Sequence, residues 1–405
     1  YSERSAGGGS KKENLLVIAS TFPRWKGDST PPFVYELSKR LTDEFNVYVV
    51  APYSYGSKKE ENLSEIQVHR FKYWFDKKNN VADGAILPNL KKNKLFWFQI
   101  PFLLISEFFK IIKVIIKEDI DLIHAHWTIP HGFIAYVMKI LFGINYVTTS
   151  HGGDIFGLEK LNFLKKIVVQ NSIKTTVVSN AIKNKFLEIG VDEDNIEVIP
   201  MGTDLTRFSP EKKDKLLEEK YGSYILFVGR LSEKKGINYL IKAMPEILKE
   251  FPEIKLLIIG DGEEKDNLVK LTESLNLEGN VIFTGAIPNE NLPKYYATAD
   301  IFIGPSVISK GGDREGFGLV FVESLASGCI TVSSDLDAIK DIIIEGKTGY
   351  MVKQKNHNDI FEKVKYILNN KKEAQKTAKK GREYVLKKYG WKNITKKYKK
   401  VLKNE

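Results

Sequence analysis

Two cations and two carboxylates in the second half of the chain have the spacing that a phosphorylated, hydroxyl-rich ligand would need. Arg230 and Lys235 stand five residues apart in the turn from Gly229 to Gly236, which follows an apolar run and precedes an amphipathic one. A guanidinium grips a diphosphate through its planar fork, and an ammonium acts on it as a point charge. Further along, Glu315 is followed by Gly316, Phe317, Gly318 and Leu319, and Glu323 comes eight residues after Glu315. Glycines let a backbone approach a ligand closely, and the amides at a helix start favour anions. A carboxylate only accepts hydrogen bonds, which suits the paired hydroxyls of a ribose or a hexose. In the first half, His151 lies between Ser150 and Gly152-Gly153-Asp154, directly after an apolar strand candidate.

These groups need a scaffold that gathers strand ends. Short apolar runs alternate with amphipathic helices along almost the whole chain, the mark of parallel α/β sheets. In the first half the runs are 15–19, 47–51, 68–71, 122–124, 146–149, 176–178 and 197–199; in the second they are 224–228, 255–259, 281–284, 301–303 and 331–333. Pro200, Gly202 and Pro210 punctuate the stretch between the halves. The expected fold class is therefore α/β, with two Rossmann-like doubly wound domains facing across a cleft. Residues 11–204 form the first domain, 205–388 the second, and 389–405 a last helix that returns to the first. Residues 1–10 end in Gly-Gly-Gly-Ser and are read as an appended remnant outside the fold.

Composition narrows the function classes. At 42% hydrophobic and 28% charged, the chain can bury a large core, and disorder or a collagen-like repeat is excluded. A lone Cys329 forms no internal disulfide and points to a reducing, cytoplasmic setting. The formal charge of +11 is local: residues 371–405 carry 14 Lys or Arg against 3 Asp or Glu, and the remainder balances. That distribution argues against nucleic acid as a partner. Leu95 to Ile116 is strongly apolar but interrupted by Gln99, Pro101, Glu107, Lys110 and Lys113, so it reads as an amphipathic helix and not a span. Its Phe96, Trp97, Phe98, Phe108 and Phe109, beside basic residues, also suit an interfacial helix. Together with the basic tail they point to a chain peripheral on the inner face of an anionic membrane. In the tail, Trp391, Ile394, Tyr398 and Val401 fall at helical spacing and are expected to pack inward.

With these pieces in place, the sequence resembles a known family. Glu315-Gly-Phe-Gly-Leu-Val-Phe-Val-Glu323 is similar to the E-x7-E signature of retaining GT-B enzymes of glycosyltransferase family 4. The turn Gly229-Arg230-Leu231 with Lys235-Gly236 is similar to that family's phosphate-binding turn, and Pro200 to Pro210 to its interdomain segment. His124-Ala125-His126-Trp127 resembles the stretch at the end of the family's fourth strand. The resemblance implies a metal-independent retaining hexosyltransferase with no cofactor, whose donor is a nucleoside-diphosphate sugar, a UDP-sugar favoured over GDP-mannose. It implies that Arg230 and Lys235 hold the diphosphate and that Glu323 accepts from the ribose hydroxyls. Glu315 would contact the donor sugar near its 3-hydroxyl, and the amides of Gly316, Phe317, Gly318 and Leu319 would hold sugar and phosphates. Ile287 would seat the base edge, and His151 would reach the sugar near its 6-hydroxyl. Gly27 belongs to the first loop on the donor side, although this loop departs from the double glycine of many relatives. Asp28, His126 and Asp154 are expected on the side of the acceptor, a glycan or lipid-linked molecule of the cell envelope.

Competing readings are weaker. His124, His126, His131 and His151 invite a zinc site, but no cysteine lies near and no helical ligand pair is present. The pairs Asp192–Asp194 and Asp335–Asp337 invite a metal on a diphosphate; the first is explained by turn chemistry. A dehydrogenase fingerprint fails because Gly260-Asp261-Gly262 has only the first two glycines. A nucleotide-sugar epimerase on the same fold and a non-catalytic sugar-binding scaffold remain as alternatives, separable by release of nucleoside diphosphate with and without acceptor.

Overall fold

The computed structural model describes residues 12–25, 28, 32–75, 81, 82, 86, 89, 90 and 93–405. In the first half the described elements are β1 (Glu13–Ile18), α1 (Phe33–Leu41), β2 (Phe45–Pro52), β3 (Glu60–Leu63), β4 (Ile66–Phe71), α2 (Gln99–Glu118), β5 (Leu122–His126), α3 (Phe133–Phe142), β6 (Asn145–Ser150), α4 (Gly153–Phe156), α5 (Asn162–Asn171), β7 (Thr175–Val177), α6 (Asn180–Glu188) and β8 (Ile196–Val198). They build an eight-stranded sheet in the order β3-β4-β2-β1-β5-β6-β7-β8, parallel except for β3. The central strand Leu15-Leu16-Val17-Ile18 is apolar on both sides because both faces of the sheet are covered. The sequence reading missed β3, a short edge strand whose Glu60 and Glu61 read as loop; charge at an edge blunts unwanted pairing.

The second half holds α7 (Lys215–Tyr221), β9 (Tyr224–Val228), α8 (Ile237–Glu250), β10 (Lys255–Ile259), α9 (Lys265–Ser274), β11 (Val281–Gly285), α10 (Leu292–Thr298), β12 (Ile301–Gly304), α11 (Leu319–Ala326), β13 (Ile330–Ser334), β14 (Tyr350–Val352), α12 (His357–Asn369), α13 (Lys371–Lys388) and α14 (Trp391–Leu402). Its sheet is parallel, in the order β11-β10-β9-β12-β13-β14. Helix α8 buries Ile237, Leu240, Ile241, Met244 and Ile247, the one-sided stripe that docks a helix on a sheet. The three-residue β14 also escaped the sequence reading. Two Rossmann-like domains thus face each other, as the alternating pattern required.

The chain crosses between domains twice, at Thr203 and Gly390, which bridge side by side; the Thr203 amide donates to the Tyr389 carbonyl at 2.8 Å. Helix α14 then packs on the first domain. Trp391, Ile394, Tyr398 and Val401 are buried in one core with Val34, Leu37 and Leu41 of α1. Lys399 and Lys403 pair with Asp43 and Glu44 just after α1. The first sheet has two distinct faces: α1, α6 and α14 cover one, whereas α2 and α3 cover the other. The basic tail and the aromatic stretch, coupled in the sequence reading, therefore lie on opposite faces.

Candidate active site

The strand ends bring the expected residues together from both domains. After β9 the chain turns through Arg230 and a short helical turn, Glu233–Lys235, before α8. Beneath this turn lies Gly260-Asp261-Gly262 at the end of β10. A Cβ on Gly260 would sit 1.9 Å from the Gly229 carbonyl oxygen, so the missing side chain is what lets the two turns stack. Lys235 Nζ meets Glu315 Oε2 at 2.5 Å, joining the turn after β9 to the glycine-rich loop. Lys234 Nζ contacts Asp313 Oδ1 at 3.2 Å, and Arg230 Nε donates to Glu263 Oε2 at 3.1 Å. Three cations thus line one wall, each balanced by a carboxylate. Burial raises the Glu315 carboxyl, but Lys235 and Lys234, with the Gly316 amide, outweigh it and hold Glu315 below its usual value.

Glu323 sits in the second turn of α11 and is half-buried. Its Oε2 accepts from the Tyr296 hydroxyl at 3.1 Å. Burial pushes its carboxyl up to about 7, against smaller lowering effects from Tyr296 and Arg207. Gly318 precedes α11 with φ 84°, and the buried Phe317 ring packs on Tyr389, 5.7 Å between centroids. Ile287, after β11, is half-buried against the core.

From the first domain, β6 ends at Ser150 and delivers His151. Its Nε2 lies 3.0 Å from His126 Nδ1, and the two rings stack at 17°. Phe33 and Trp127 each lie 4.9 Å from its ring. Burial, with the neighbouring His124, lowers His151 to about 3, and His126 is likewise lowered by burial first and by His124, His151 and His131 next. Both imidazoles are neutral at neutral pH, so one ring donates and the other accepts. His124, His126 and His151 thus form a run of neighbouring rings in which burial disfavours the charged form, and among the described residues no group of three or more His, Cys, Asp or Glu is arranged to hold a metal ion.

Three residues expected on the acceptor side are held by contacts within the protein. His126 is fully buried behind His151 and touches the cleft only through it. Asp154 is also buried: its Oδ1 accepts from Ser150 Oγ and the Gly152 amide, its Oδ2 from the Thr128 amide. Asp28 is turned to Arg24, accepting from its amide and guanidinium. A short carboxylate in a loop is as apt to brace local backbone as to meet a ligand, and both aspartates accept from nearby backbone amides. Gly27 lies outside the described residues.

Contacts across the cleft were not foreseen. Ser179 Oγ donates to the Gly316 carbonyl at 2.7 Å, and Asn180 donates to both oxygens of Asp341, at 2.8 Å from its amide and 2.9 Å from its side chain. A Cβ on Gly316 would sit 2.3 Å from the His151 carbonyl oxygen, and one on Gly152 would sit 2.7 Å from the Gly316 Cα. Glycine on both sides is what lets His151 and Glu315 approach each other. Lys165, fully buried and lowered to about 8 mainly by burial, donates to the Ile155 and Gly157 carbonyls and steadies α4 behind His151. The only sequence signal for the cleft contacts was Ser179 at a helix N-cap position. A separate concavity of about 730 Å³ lies between α1, residues 203–206 and α14. It sits near the amino end of β2, away from the strand ends that carry the site.

The family described as Glycosyltransferase Family 4 matches residues 32–207, and that described as Glycosyl transferases group 1 matches residues 208–384. The chain is a family 4 glycosyltransferase with the GT-B fold. This glycosyltransferase is 26% identical over 330 residues to N-acetyl-alpha-D-glucosaminyl L-malate synthase of Bacillus anthracis, covering 79% of this chain and 84% of the relative. It is 30% identical over 288 residues to the GDP-mannose-dependent alpha-(1-6)-phosphatidylinositol monomannoside mannosyltransferase of Mycolicibacterium smegmatis, covering 69% and 75%. In fold it is similar to sucrose-phosphate synthase of Thermosynechococcus elongatus, with TM-score 0.78 and 20% identity over 97% of this chain and 99% of that one. It is also similar to the Anabaena protein HepE, solved with UDP and glucose, with TM-score 0.74 and 16% identity over 97% and 100%.

Proposed function

We propose that this glycosyltransferase is a retaining, metal-independent hexosyltransferase that takes a nucleoside-diphosphate sugar, a UDP-sugar in preference to GDP-mannose, and glycosylates a hydroxyl of a lipid-linked or cell-envelope glycan. The observation that carries the reading is the meeting of Lys235, Glu315 and the Gly316 loop with His151 across the Gly152–Gly316 contact. Arg230 and Lys235 hold the diphosphate, with Lys234 adding positive potential beside them. Glu323 accepts from the ribose, Ile287 borders the base, and Glu315 and the amides of residues 316–319 fix the sugar. His151, neutral and braced by His126, hydrogen-bonds the sugar. The acceptor oxygen bonds to the anomeric carbon on the face from which the phosphate leaves, and the acceptor proton passes to the departing phosphate oxygen. The α configuration is thereby kept.

The donor preference is open to a direct contest, because HepE was solved with UDP and the mycobacterial relative is named for GDP-mannose. A lipid acceptor is supported by that relative, whose named acceptor is a phosphatidylinositol mannoside. No helix among the described residues is long and apolar enough to cross a membrane, so the chain would meet such an acceptor from the surface. The test is a thermal-shift screen of UDP-, GDP- and ADP-sugars followed by nucleoside diphosphate release with and without acceptor, in EDTA. A UDP-sugar should stabilise most, with acceptor-dependent release that survives chelation. Release without any glycosylated product, or activity lost in EDTA and restored by Mg²⁺, would overturn the reading.

A further inference from the structure

Helix α2 is apolar on two opposite sides. One side buries Leu103, Ile111, Val114 and Ile115 on the sheet. The other presents a stripe at successive helical turns, from Phe98 at its start through Phe102, Ile105, Phe109 and Lys113 to Ile116, with Phe98 72% and Ile116 70% exposed. Beside it α3 exposes Phe133, Ile140, Leu141 and Phe142. The two helices cover the same face of the sheet, and Glu107 Oε1 of α2 meets Nδ1 of His131, in the turn that leads into α3, at 2.7 Å. Bulky apolar residues exposed turn after turn along one helix mark a docking face.

Charge identifies what covers it. On α2, α3 and α5 the acidic side chains are Glu107, buried against His131, and Glu118, paired with Lys117. Lys113 and Lys117 on α2 and Lys139 on α3 are the cations of this face, together with Lys110, which pairs with Glu60 of β3 at 3.1 Å. An apolar crest edged by ammonium groups fits an anionic lipid leaflet, with rings in the acyl boundary and lysines at the headgroups. Position agrees: both helices begin at the strand ends that form the cleft, and Phe133 follows directly on the His131–Gly132 turn beside Trp127 and His151.

We infer that the α2–α3 face is the surface by which the enzyme sits on an anionic leaflet, while the basic helix α14, on the opposite face of the sheet, is a strap between domains and not the membrane contact. This inference rests on the proposed membrane-borne acceptor.

The test is co-sedimentation with phosphatidylcholine vesicles, with and without phosphatidylglycerol, at low and high salt. The full chain is compared with Phe102→Ser/Phe109→Ser, with Lys396→Gln/Lys400→Gln on α14, and with Leu216→Ser as an exposed control on the second domain. The double Phe variant should lose about tenfold or more in partition to anionic vesicles. The α14 and Leu216 variants should stay within about twofold of the parent. Binding that is absent on anionic vesicles, equal in the Phe variant, or lost through α14 instead would overturn the inference. So would a dimer, seen by light scattering, that the Phe variant dissolves while vesicle binding is absent. Nucleoside diphosphate release with a soluble acceptor is measured on the same samples. If it fails in every protein the proposed function fails, whereas intact release with no vesicle binding rejects the docking face alone.

Discussion

Replacing Glu323 by glutamine should abolish a pH dependence that the buried carboxyl imposes on donor binding. Burial holds Glu323 at about 7 where an ordinary glutamate stands at 4.5. Between about pH 6 and about pH 8 its ionised fraction therefore rises from roughly a tenth to roughly nine-tenths, a ratio of about nine or ~1.3 kcal/mol. A carboxylate that accepts from ribose hydroxyls binds best when ionised, so KM for the donor should fall severalfold over that range. A nucleotide-sugar is a diphosphate diester with no group of its own titrating there, so the change can be assigned to the protein. Glutamine has nearly the same shape but no charge. It should bind donor about tenfold or more weaker at pH 8, from loss of charge-assisted bonds, with a flat profile and a gap that closes towards pH 6. Stability should change in the opposite sense. A carboxyl whose folded value is raised favours the protonated protein, so the unliganded enzyme loses stability as pH rises from about 4.5 through about 7. The loss is at most on the order of 3 kcal/mol, reduced by solvent at the half-open rim. The glutamine variant should be spared that loss. Donor KM measured at both pH values, with denaturant melts of the unliganded proteins, checks both halves. A flat wild-type KM, or an equal gap at both pH values, would refute the role assigned to Glu323.

Other perturbations read the cleft from different sides. Gly316→Ala should cut turnover by about 10²-fold or more with each domain still folded, because the new Cβ would press on the His151 carbonyl oxygen and part the domains; unchanged turnover with an unchanged melt would show that this approach is not needed. His151→Ala should lower kcat far more than affinity for free nucleoside diphosphate, if it contacts the sugar and not the phosphates as proposed. Equal loss of both, by calorimetry and steady-state kinetics, would move His151 out of that role.

Much of this enzyme was legible in the order of its residues. Strand runs such as Leu15-Leu16-Val17-Ile18 and Leu256-Leu257-Ile258-Ile259 declare parallel strands by their apolarity, and the turn Gly229–Gly236 and the loop Glu315–Leu319 are local devices at strand ends. A strand end, a turn and a helix start are close in sequence, so their chemistry can be read from spacing. Even so, β3 and β14 escaped: β3 is a four-residue edge strand with charged residues, and β14 an apolar run of only three. The pairing of Lys235 with Glu315 joins residues 80 positions apart, and that of Asn180 with Asp341 joins residues 161 apart. Whether Asp154 faces ligand or backbone depended on where Thr128 and Ser150 lay, and whether His126 reaches the cleft depended on where His151 stacked. The same holds for the basic tail. Its inward stripe of Trp391, Ile394, Tyr398 and Val401 was visible as periodicity, but periodicity says only that a helix packs, not on which face of a sheet. That face follows from the crossovers and from the side on which each helix finds complementary apolar surface, a property of the assembled sheet that no run of neighbouring residues contains.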